Sequence, residues 1–155
     1  RRRHTRYWRD WSSDVCSSDL TALYRTEHFN AAHRLLCGEW DEHKNKEVFG
    51  KCFSPNFHGH NYKLTVGLKG IPDEKTGYLA DTKWLSALIQ RQIIEYMDHR
   101  NLNLDVEEFS KINPTVENIA RVIYERLRPF IDTQIDLKIE LYETERNRAE
   151  YPATW

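Results

Sequence analysis

The feature that most constrains the fold is a His-x-His pair, His58-Gly59-His60, which opens a segment of alternating character. Apolar and polar residues alternate after the pair, and this period of two predicts a strand over residues 58–69. Side chains at positions i and i+2 of a strand point to the same side, so both imidazoles face one way. A third imidazole beside them would give zinc three neutral nitrogen ligands and leave the fourth tetrahedral position open, as in catalytic zinc sites.

His33 is the candidate for the third imidazole, because it ends an extended segment, residues 23–32, that can pair with the His-x-His strand. Cys52 precedes His58 in the connecting loop. Its thiol has two alternatives: it closes a zinc site as the fourth ligand, or it stays free as a reactive thiolate beside an open metal. Cys37 lies in the same loop, and we expect no chemical role for it.

The bulk composition excludes several classes of protein. With 155 residues, of which 39% are hydrophobic and 30% charged, the chain fits one globular domain. It has no apolar run of about 18 residues that would predict a membrane span. It also has no basic block inside the domain that would indicate a nucleic-acid partner. Three cysteines are an odd number and too few for a disulfide scaffold, so we expect a reducing compartment, the cytoplasm.

Residues 1–20 read differently from the rest of the chain. They have neither a helical nor a strand period, and they lack the continuous apolar stretch of a secretory signal. Residues 10–20 resemble the translation of a common sequencing-library adapter. We therefore predict that residues 1–20 are a non-native or disordered tail and that the domain spans residues 21–155. The alternative is an amphipathic targeting peptide, but its three acidic residues, Asp10, Asp14 and Asp19, argue against this reading.

The order of secondary structure predicts an α+β domain. Apolar stripes of helical period run over residues 84–97 and 116–127, with Asp81 or Thr82 and Thr115 as N-caps. A strand over residues 137–142 and a short one near 149–151 follow. Two strands, two helices and two strands predict an antiparallel four-stranded sheet with both helices on one face. Residues 34–57 read as a long polar connection.

Asp98-His99 is a second candidate for chemistry, at the predicted end of the first helix. An acidic side chain at a helix C-terminus opposes the macrodipole, and a local rule broken in this way often marks function. A carboxylate beside a histidine can orient the ring and raise its basicity. The alternative is a solvated turn.

Glu143 continues the apolar side of the strand over residues 137–142. A carboxylate there is either a solvated strand end or a ligand-binding group, and its two oxygens suit the donor edge of a guanine or pterin ring. Thr115 fits the role of a helix N-cap, and Glu117 fits that of a favourable charge in the first helical turn. The residues alone give no reason to assign either of them a further role.

Together these residues form a pattern that resembles the 6-pyruvoyl-tetrahydropterin synthase / 6-carboxytetrahydropterin synthase family. The resemblance runs in order from about residue 21 to residue 151. Its motifs are Phe29-Asn30-Ala31-Ala32-His33-Arg34-Leu35, Cys52-x5-His58-Gly59-His60-Asn61-Tyr62, Asp98-His99-Arg100-Asn101-Leu102, Pro114-Thr115-x-Glu117-Asn118 and Tyr142-Glu143-Thr144.

The resemblance implies the tunnelling fold, in which subunits form trimers whose strands close a barrel and two trimers stack into a hexamer. It implies zinc (Zn²⁺) as the cofactor and a pterin triphosphate as the substrate, with active sites between subunits. The implied roles are metal ligands for His33, His58 and His60, a catalytic thiol for Cys52, an acid/base relay for Asp98 and His99, and pterin binding for Glu143, Thr115 and Glu117.

Two products are compatible with the resemblance. Five residues between Cys52 and His58 look more like the 6-pyruvoyl branch, whereas Ala31-Ala32-His33 and residues 142–147 look more like bacterial members, where the 6-carboxy reaction is commoner. The expectation is a zinc-dependent lyase that converts 7,8-dihydroneopterin triphosphate to 6-carboxy-5,6,7,8-tetrahydropterin for queuosine biosynthesis. The alternative is 6-pyruvoyl-tetrahydropterin synthase of tetrahydrobiopterin biosynthesis. A non-catalytic zinc-binding oligomer, with Cys52 closing the site, is an alternative of another class.

Overall fold

A computed structural model describes residues 19–154 and shows a mostly antiparallel five-stranded sheet packed against helices. The strands lie in the order β3-β1-β2-β4-β5. Their bounds are Thr21–His33 (β1), His58–Gly70 (β2), Arg100–Asn101 (β3), Asp136–Tyr142 (β4) and Arg148–Tyr151 (β5). The α-helices are Glu42–Phe49 (α1), Thr82–Ile89 (α2), Glu95–Met97 (α3), Leu102–Asp105 (α4) and Val116–Leu127 (α5).

The pairing of β1 with β2 is the feature that positions the site. The two strands of 13 residues run antiparallel over their whole length, with Phe29 opposite Tyr62, Ala31 opposite His60 and His33 opposite His58. Because side chains alternate, these residues share the face that packs against the helices. The imidazoles therefore continue the row of core side chains at one end of the ladder.

The core lies between one face of the sheet and helices α2 and α5. The sheet contributes Leu64, Val66, Leu68, Leu137, Ile139 and Leu141, and the helices contribute Leu85, Ile89, Ile119 and Ile123, all fully or almost fully buried. Burial of each such side chain is worth roughly 1.5–3 kcal/mol. The prediction of an α+β domain with both helices on one face is confirmed.

The opposite face of the sheet is polar, as the alternating strands predict. Thr26 and Thr65 bring their hydroxyls within 3.1 Å of each other. Ion pairs join Lys138 to Glu150 at 2.7 Å and Arg148 to Glu140 at 2.7 Å. Among the described residues, no helix packs against this face. Its polar side chains are suited to contact with water or with another polar surface.

The prediction of four strands was wrong by one. The additional strand, β3, has two residues and runs parallel to β1, with Ala31 opposite Arg100 and Ala32 opposite Asn101. Two residues are too short to show an alternating pattern, so its formation depends on tertiary contact with β1.

Residues 34–57 are more ordered than the sequence indicated. Helix α1 begins after Asp41, whose carboxylate accepts a hydrogen bond from the Lys44 N–H at 2.7 Å as an N-cap. Asn45 is buried, accepting from the Cys37 N–H and donating to the Cys37 and Trp40 carbonyls. The helix was missed because it is held by these polar contacts and has little apolar periodicity.

The first predicted helix is interrupted. It forms α2 and α3 with a π-helical turn, Gln90–Ile94, between them. The Gln92 carbonyl accepts a hydrogen bond from Arg126 Nε at 3.1 Å, and the Arg126 guanidinium also lies over the Tyr96 ring and pairs with Glu108 at 2.8 Å. A π turn frees backbone carbonyls for such contacts.

The tail predicted over residues 1–20 falls almost entirely on residues 1–18, which lie outside the described residues. Within residues 19–154, no helix combines the length and apolar character needed to cross a membrane.

Candidate metal centre and active site

Three imidazoles converge at the end of the β1–β2 ladder. The ligand atoms of His33, His58 and His60 all lie within 4.8 Å of one another, and the Nε2 atoms of His33 and His58 are 3.0 Å apart. His33 is fully buried, whereas His58 and His60 are partly exposed. The structure therefore brings together the three residues that the sequence proposed as a metal site.

A backbone carbonyl orients the buried imidazole. His33 Nδ1 donates a hydrogen bond to the Pro114 carbonyl oxygen at 2.7 Å, which leaves the lone pair of Nε2 facing the other two rings. Burial lowers the pKa of His33 to about 4, with smaller contributions from His58 and His60. The ring is therefore neutral at pH 7, the form that binds a metal.

The arrangement fits zinc by the chemistry of its donors. Neutral imidazole nitrogens are preferred ligands of Zn²⁺, and three of them with an open fourth position are characteristic of catalytic sites. His58 Nδ1 is buried and has no hydrogen-bond partner among the described residues, while His58 Nε2 faces His33 Nε2 at 3.0 Å, so both rings turn Nε2 toward the same point. The tight group of ligand atoms in residues 19–154 consists of imidazoles and does not include the Cys52 thiol.

Cys52 lies in a short 3-10 turn, Gly50–Phe53, close enough to Glu143 and Tyr62 for its charge to interact with theirs. Its carbonyl accepts a hydrogen bond from the Leu35 N–H at 2.8 Å, which ties the turn to the chain just after His33. Burial raises the pKa of the Cys52 thiol, and the Glu143 carboxylate adds to the rise. The protein groups alone thus favour the thiol, and a thiolate requires a positive charge nearby.

Glu143 follows β4 and faces the imidazoles. Its Oε1 is 3.5 Å from His33 Nε2 and 3.8 Å from His60 Nε2. Its backbone N–H donates to the Asn147 carbonyl at 3.1 Å, within the turn that leads to β5. The apolar register of β4 correctly indicated that this carboxylate continues the core side of the sheet.

Tyr62 forms the floor of the site, and the sequence did not single it out for chemistry. Its ring stacks on Phe29 at a centroid distance of 4.9 Å and contacts His33 and His60 edge-on. The side chain is 0% exposed, and its hydroxyl has no partner within the described part of the chain. Burial raises the pKa of Tyr62, and the charges of Glu143 and Cys52 add to the rise. The signal available in the sequence was the position of Tyr62 two residues after His60, which places both side chains on the same face of the strand.

Asp98 and His99 form a paired unit at the edge of β1. His99 Nδ1 and Asp98 Oδ2 are 2.8 Å apart, while Asp98 Oδ1 accepts from the Asn30 N–H at 2.7 Å. The pKa of Asp98 is lowered chiefly by that backbone hydrogen bond and then by His99. The hydrogen bond from Asn30 of β1 offsets the unfavourable position of the Asp98 carboxylate at the C-terminal end of a helix.

The His99 imidazole is 77% exposed. Together with His60, Gly59 and Asn30 it lines a cleft of about 360 Å³. The Asp98 and His99 side chains hydrogen-bond to each other, and Asp98 also accepts from Asn30. Within residues 19–154, no hydrogen bond joins these two side chains to Cys52.

Two residues at or beside the candidate site have a strained backbone conformation. Phe57, directly before His58, has φ = 61°, and His99 has φ = 56°. Positive φ is unfavourable for residues with a Cβ, particularly bulky ones, and persists where the surrounding contacts impose it. These are the two non-glycine residues with positive φ in the described chain.

Thr115 and Glu117 open helix α5. The Thr115 hydroxyl accepts from the Asn118 N–H at 3.3 Å, so it is the helix N-cap, as the sequence predicted. Glu117 is exposed on the first turn. Because Thr115 follows the Pro114 carbonyl that orients His33, the helix start is linked to the metal centre.

The fold and the site define an α+β domain with three converging histidines that could hold a metal ion, and with a thiol and a carboxylate near them. The 6-pyruvoyl tetrahydropterin synthase family model matches residues 22–154, and the chain belongs to this family.

Individual relatives agree with the family match. The 6-pyruvoyl tetrahydrobiopterin synthase of Pongo abelii is 37% identical over 123 residues, which cover 79% of this chain and 85% of that protein. The structure of Caenorhabditis elegans 6-pyruvoyl tetrahydropterin synthase superimposes with a TM-score of 0.80 at 35% identity, covering 85% of this chain and 94% of that one. The Bacillus subtilis 6-carboxy-5,6,7,8-tetrahydropterin synthase is 29% identical over 115 residues, covering 72% and 68%.

Proposed function

We propose that the protein is a zinc-dependent 6-pyruvoyl-tetrahydropterin synthase that eliminates triphosphate from 7,8-dihydroneopterin triphosphate. The observation that supports this proposal most strongly is the convergence of His33, His58 and His60 on one point, with Cys52 and Glu143 nearby. The sequence alone favoured the 6-carboxy product. The higher identity and coverage of the 6-pyruvoyl relatives favour the alternative.

The three imidazoles hold the metal, and the Pro114 carbonyl keeps the buried ring in the ligating tautomer. When bound, zinc supplies Lewis-acid polarisation of the hydroxyl oxygens of the substrate side chain. A hydrogen-bond partner that orients a ligating histidine strengthens metal binding, which supports His33 as the anchor of the set.

Cys52 acts as the base that removes a proton from the pterin side chain. Its pKa is raised by burial and by Glu143, and a cation held by the three histidines would favour the thiolate. This effect of the cation is consistent with a thiol placed beside three neutral imidazoles. Loss of the proton is followed by departure of triphosphate with the electrons of its C–O bond, and no external oxidant or reductant is required.

Asp98 and His99 relay a second proton. Asp98 fixes the ring through Nδ1, and the exposed His99 Nε2 is left to exchange protons. We propose that this pair acts on a substrate bound between subunits, because in one chain it faces the cleft beside His60. An oligomer, hexameric by resemblance to the family, completes the site.

Glu143, Thr115 and Glu117 are the proposed pterin-binding residues. Two carboxylates, at the end of β4 and at the start of α5, can accept hydrogen bonds from the amide and amino donors of a pterin ring. The proposed domain is residues 21–155, and the family match beginning at residue 22 supports this boundary.

The deciding experiment is identification of the product from purified protein, Zn²⁺ and 7,8-dihydroneopterin triphosphate. Mass spectrometry should find 6-pyruvoyl-tetrahydropterin and released triphosphate, with no acetaldehyde. Acetaldehyde together with 6-carboxytetrahydropterin would instead assign the reaction of the Bacillus subtilis relative. Zinc binding with no turnover of any pterin triphosphate would support the non-catalytic oligomer.

A further inference from the structure

The helical segment that ends before Asp98 contains one residue more than a continuous α-helix can keep in phase with the core. Its fully buried positions, all 0% exposed, recur every four residues at Leu85, Ile89, Ile93 and Met97. At 3.6 residues per turn, the first and last of these would lie about 120° apart around a continuous α-helix. The π turn, in which the Glu95 N–H donates to the Gln90 carbonyl, takes up one residue and reduces that angle to about 20°.

The same extra residue sets the direction of Asp98, which directly follows Met97. The Asp98 N–H donates to the carbonyl of Ile94, the last residue of the π turn, at 2.9 Å, and Asp98 Oδ1 accepts from the Asn30 N–H of β1 at 2.7 Å. The His99 N–H donates to the Asn30 carbonyl at 2.6 Å. If the π turn relaxed to α-helical bonding with no residue removed, Asp98 would turn by about 100° around the helix axis, and these hydrogen bonds to β1 would be lost.

Three side chains from different segments hold the π turn. Arg126 of α5 donates from Nε to the Gln92 carbonyl inside the turn at 3.1 Å, and its guanidinium carbon lies 3.6 Å from the centre of the Tyr96 ring. Arg126 Nη1 donates to Glu108 Oε1 at 2.8 Å, while the Tyr96 hydroxyl donates to Glu108 Oε2 at 2.9 Å. All three side chains are partly buried, and because they form a closed network, loss of one contact weakens the others.

We propose that Arg126, supported by Glu108 and Tyr96, is a positioning residue for the Asp98–His99 pair. It holds the π turn in place, and the turn fixes the rotation at which the pair meets β1 and brings His99 to the cleft. Arg126 acts on the reaction only through this backbone and requires no contact with the substrate. The effect on turnover rests on the proposed function, in which the pair relays a proton, whereas the effect on the structure does not.

Hydrogen exchange followed by mass spectrometry tests the structural effect on the purified protein without a pterin. In Arg126→Gln, the amides of Asn30 and His99 should exchange about tenfold faster, because both lose their acceptors when Asp98 turns. Arg121→Gln is the matched control, since Arg121 lies on the same helix and pairs with Glu125 of that helix at 3.8 Å. Wild-type exchange at both amides in Arg126→Gln would overturn the proposal.

Kinetics with 7,8-dihydroneopterin triphosphate test the catalytic effect as a split between kcat and KM. A misplaced proton relay slows the chemical step, so Arg126→Gln should lower kcat by about tenfold or more and leave KM within about twofold. Equal kcat in wild type and Arg126→Gln would overturn the positioning role. Absence of turnover in the wild type would contradict the proposed function instead, and the exchange experiment would still decide whether Arg126 positions the pair.

Deletion of Gln90 from the Arg126→Gln variant separates helix rotation from general loosening. Gln90 is an exposed residue of the π turn, and with one residue fewer an uninterrupted α-helix presents Asp98 at nearly its present angle. We expect the deletion to restore slow exchange at Asn30 and most of kcat. A folded double variant that stays impaired, or a rise in KM that matches the fall in kcat, would overturn the proposal.

Tyr96→Phe is the mildest variant, because it removes a single hydroxyl from the network. We expect the same loss of kcat without a change in KM, to a smaller extent than in Arg126→Gln. Circular dichroism verifies that each variant folds. If the double variant does not fold, Tyr96→Phe decides the question, and wild-type kcat together with wild-type exchange at Asn30 would overturn the proposal.

Discussion

His33 donates its Nδ1 hydrogen to the carbonyl oxygen of Pro114 across 2.7 Å, a contact that joins residues 81 positions apart in the chain. It connects the end of β1 to the segment that enters α5. The contact fixes both the tautomer and the direction of the one fully buried imidazole of the site, so the geometry of the three-histidine group depends on a backbone atom of a distant segment.

Replacement of His33 should abolish tight metal binding. His33→Ala removes one of three ligands and leaves a cavity beside His58, so we expect Zn²⁺ affinity to fall by more than about 100-fold, beyond the effect of losing an outer-shell partner. Equilibrium dialysis measures the loss. His28→Ala is the control, since His28 is exposed on the other face of β1, and retention of wild-type affinity by His33→Ala would contradict the assignment.

Replacement of Cys52 should separate metal binding from turnover. Because the thiol lies outside the tight histidine group, Cys52→Ala should keep the zinc and lose activity by about 100-fold or more, the contribution of a general base. Zinc content and product formation are measured on the same sample, with Cys37→Ala as the matched control. If zinc affinity collapses with the thiol, Cys52 is a ligand and the proposed mechanism fails.

Removal of the Tyr62 hydroxyl should not destabilise the fold. The group is buried without a partner among the described residues, so Tyr62→Phe deletes an uncompensated polar atom while Phe29 keeps its stacking contact. We expect a change in unfolding free energy between zero and about 1 kcal/mol of added stability. Chemical denaturation of the metal-free protein measures it, and a loss of more than about 1 kcal/mol would reveal a hydrogen bond to the hydroxyl.

Asp98 should stabilise the protein at neutral pH and lose that effect in acid. Its folded-state pKa lies below the unfolded value, chiefly because the carboxylate accepts from the Asn30 N–H. The contribution is therefore present above the unfolded pKa of about 3.9 and disappears as pH falls through the folded pKa. Asp98→Asn should melt lower than wild type at pH 7, with the two melting temperatures converging below pH 4; a constant difference would contradict the linkage.

Thr115 should contribute to stability as a helix cap whatever its part in substrate binding. Thr115→Ala removes the acceptor for the Asn118 N–H and should cost about 0.5–2 kcal/mol, whereas Thr115→Ser should retain most of it. Thermal unfolding compares the variants. If Thr115→Ser restores stability but not the KM for the pterin, the methyl group has a separate role in the pocket.

Much of the site was predictable because its residues lie on regular strands. A period of two places His58 and His60 on one side of β2, and the same period places Glu143 on the core side of β4. The N-caps of α2 and α5 at Asp81 and Thr115 follow from side-chain chemistry close in sequence. Helix α1 and strand β3 were not predictable, because neither carries a periodic apolar pattern.

The sequence by itself determined the long strands and the apolar helical segments, the core face of the sheet and the donors available to a metal, since all of these follow from local periodicity and side-chain chemistry. Tertiary structure alone decided the rest. It set the register that places His33 opposite His58, the Pro114 carbonyl behind the buried ring, and the approach of Glu143 to the imidazoles. These are contacts between distant segments, and their distances depend on how the whole core packs.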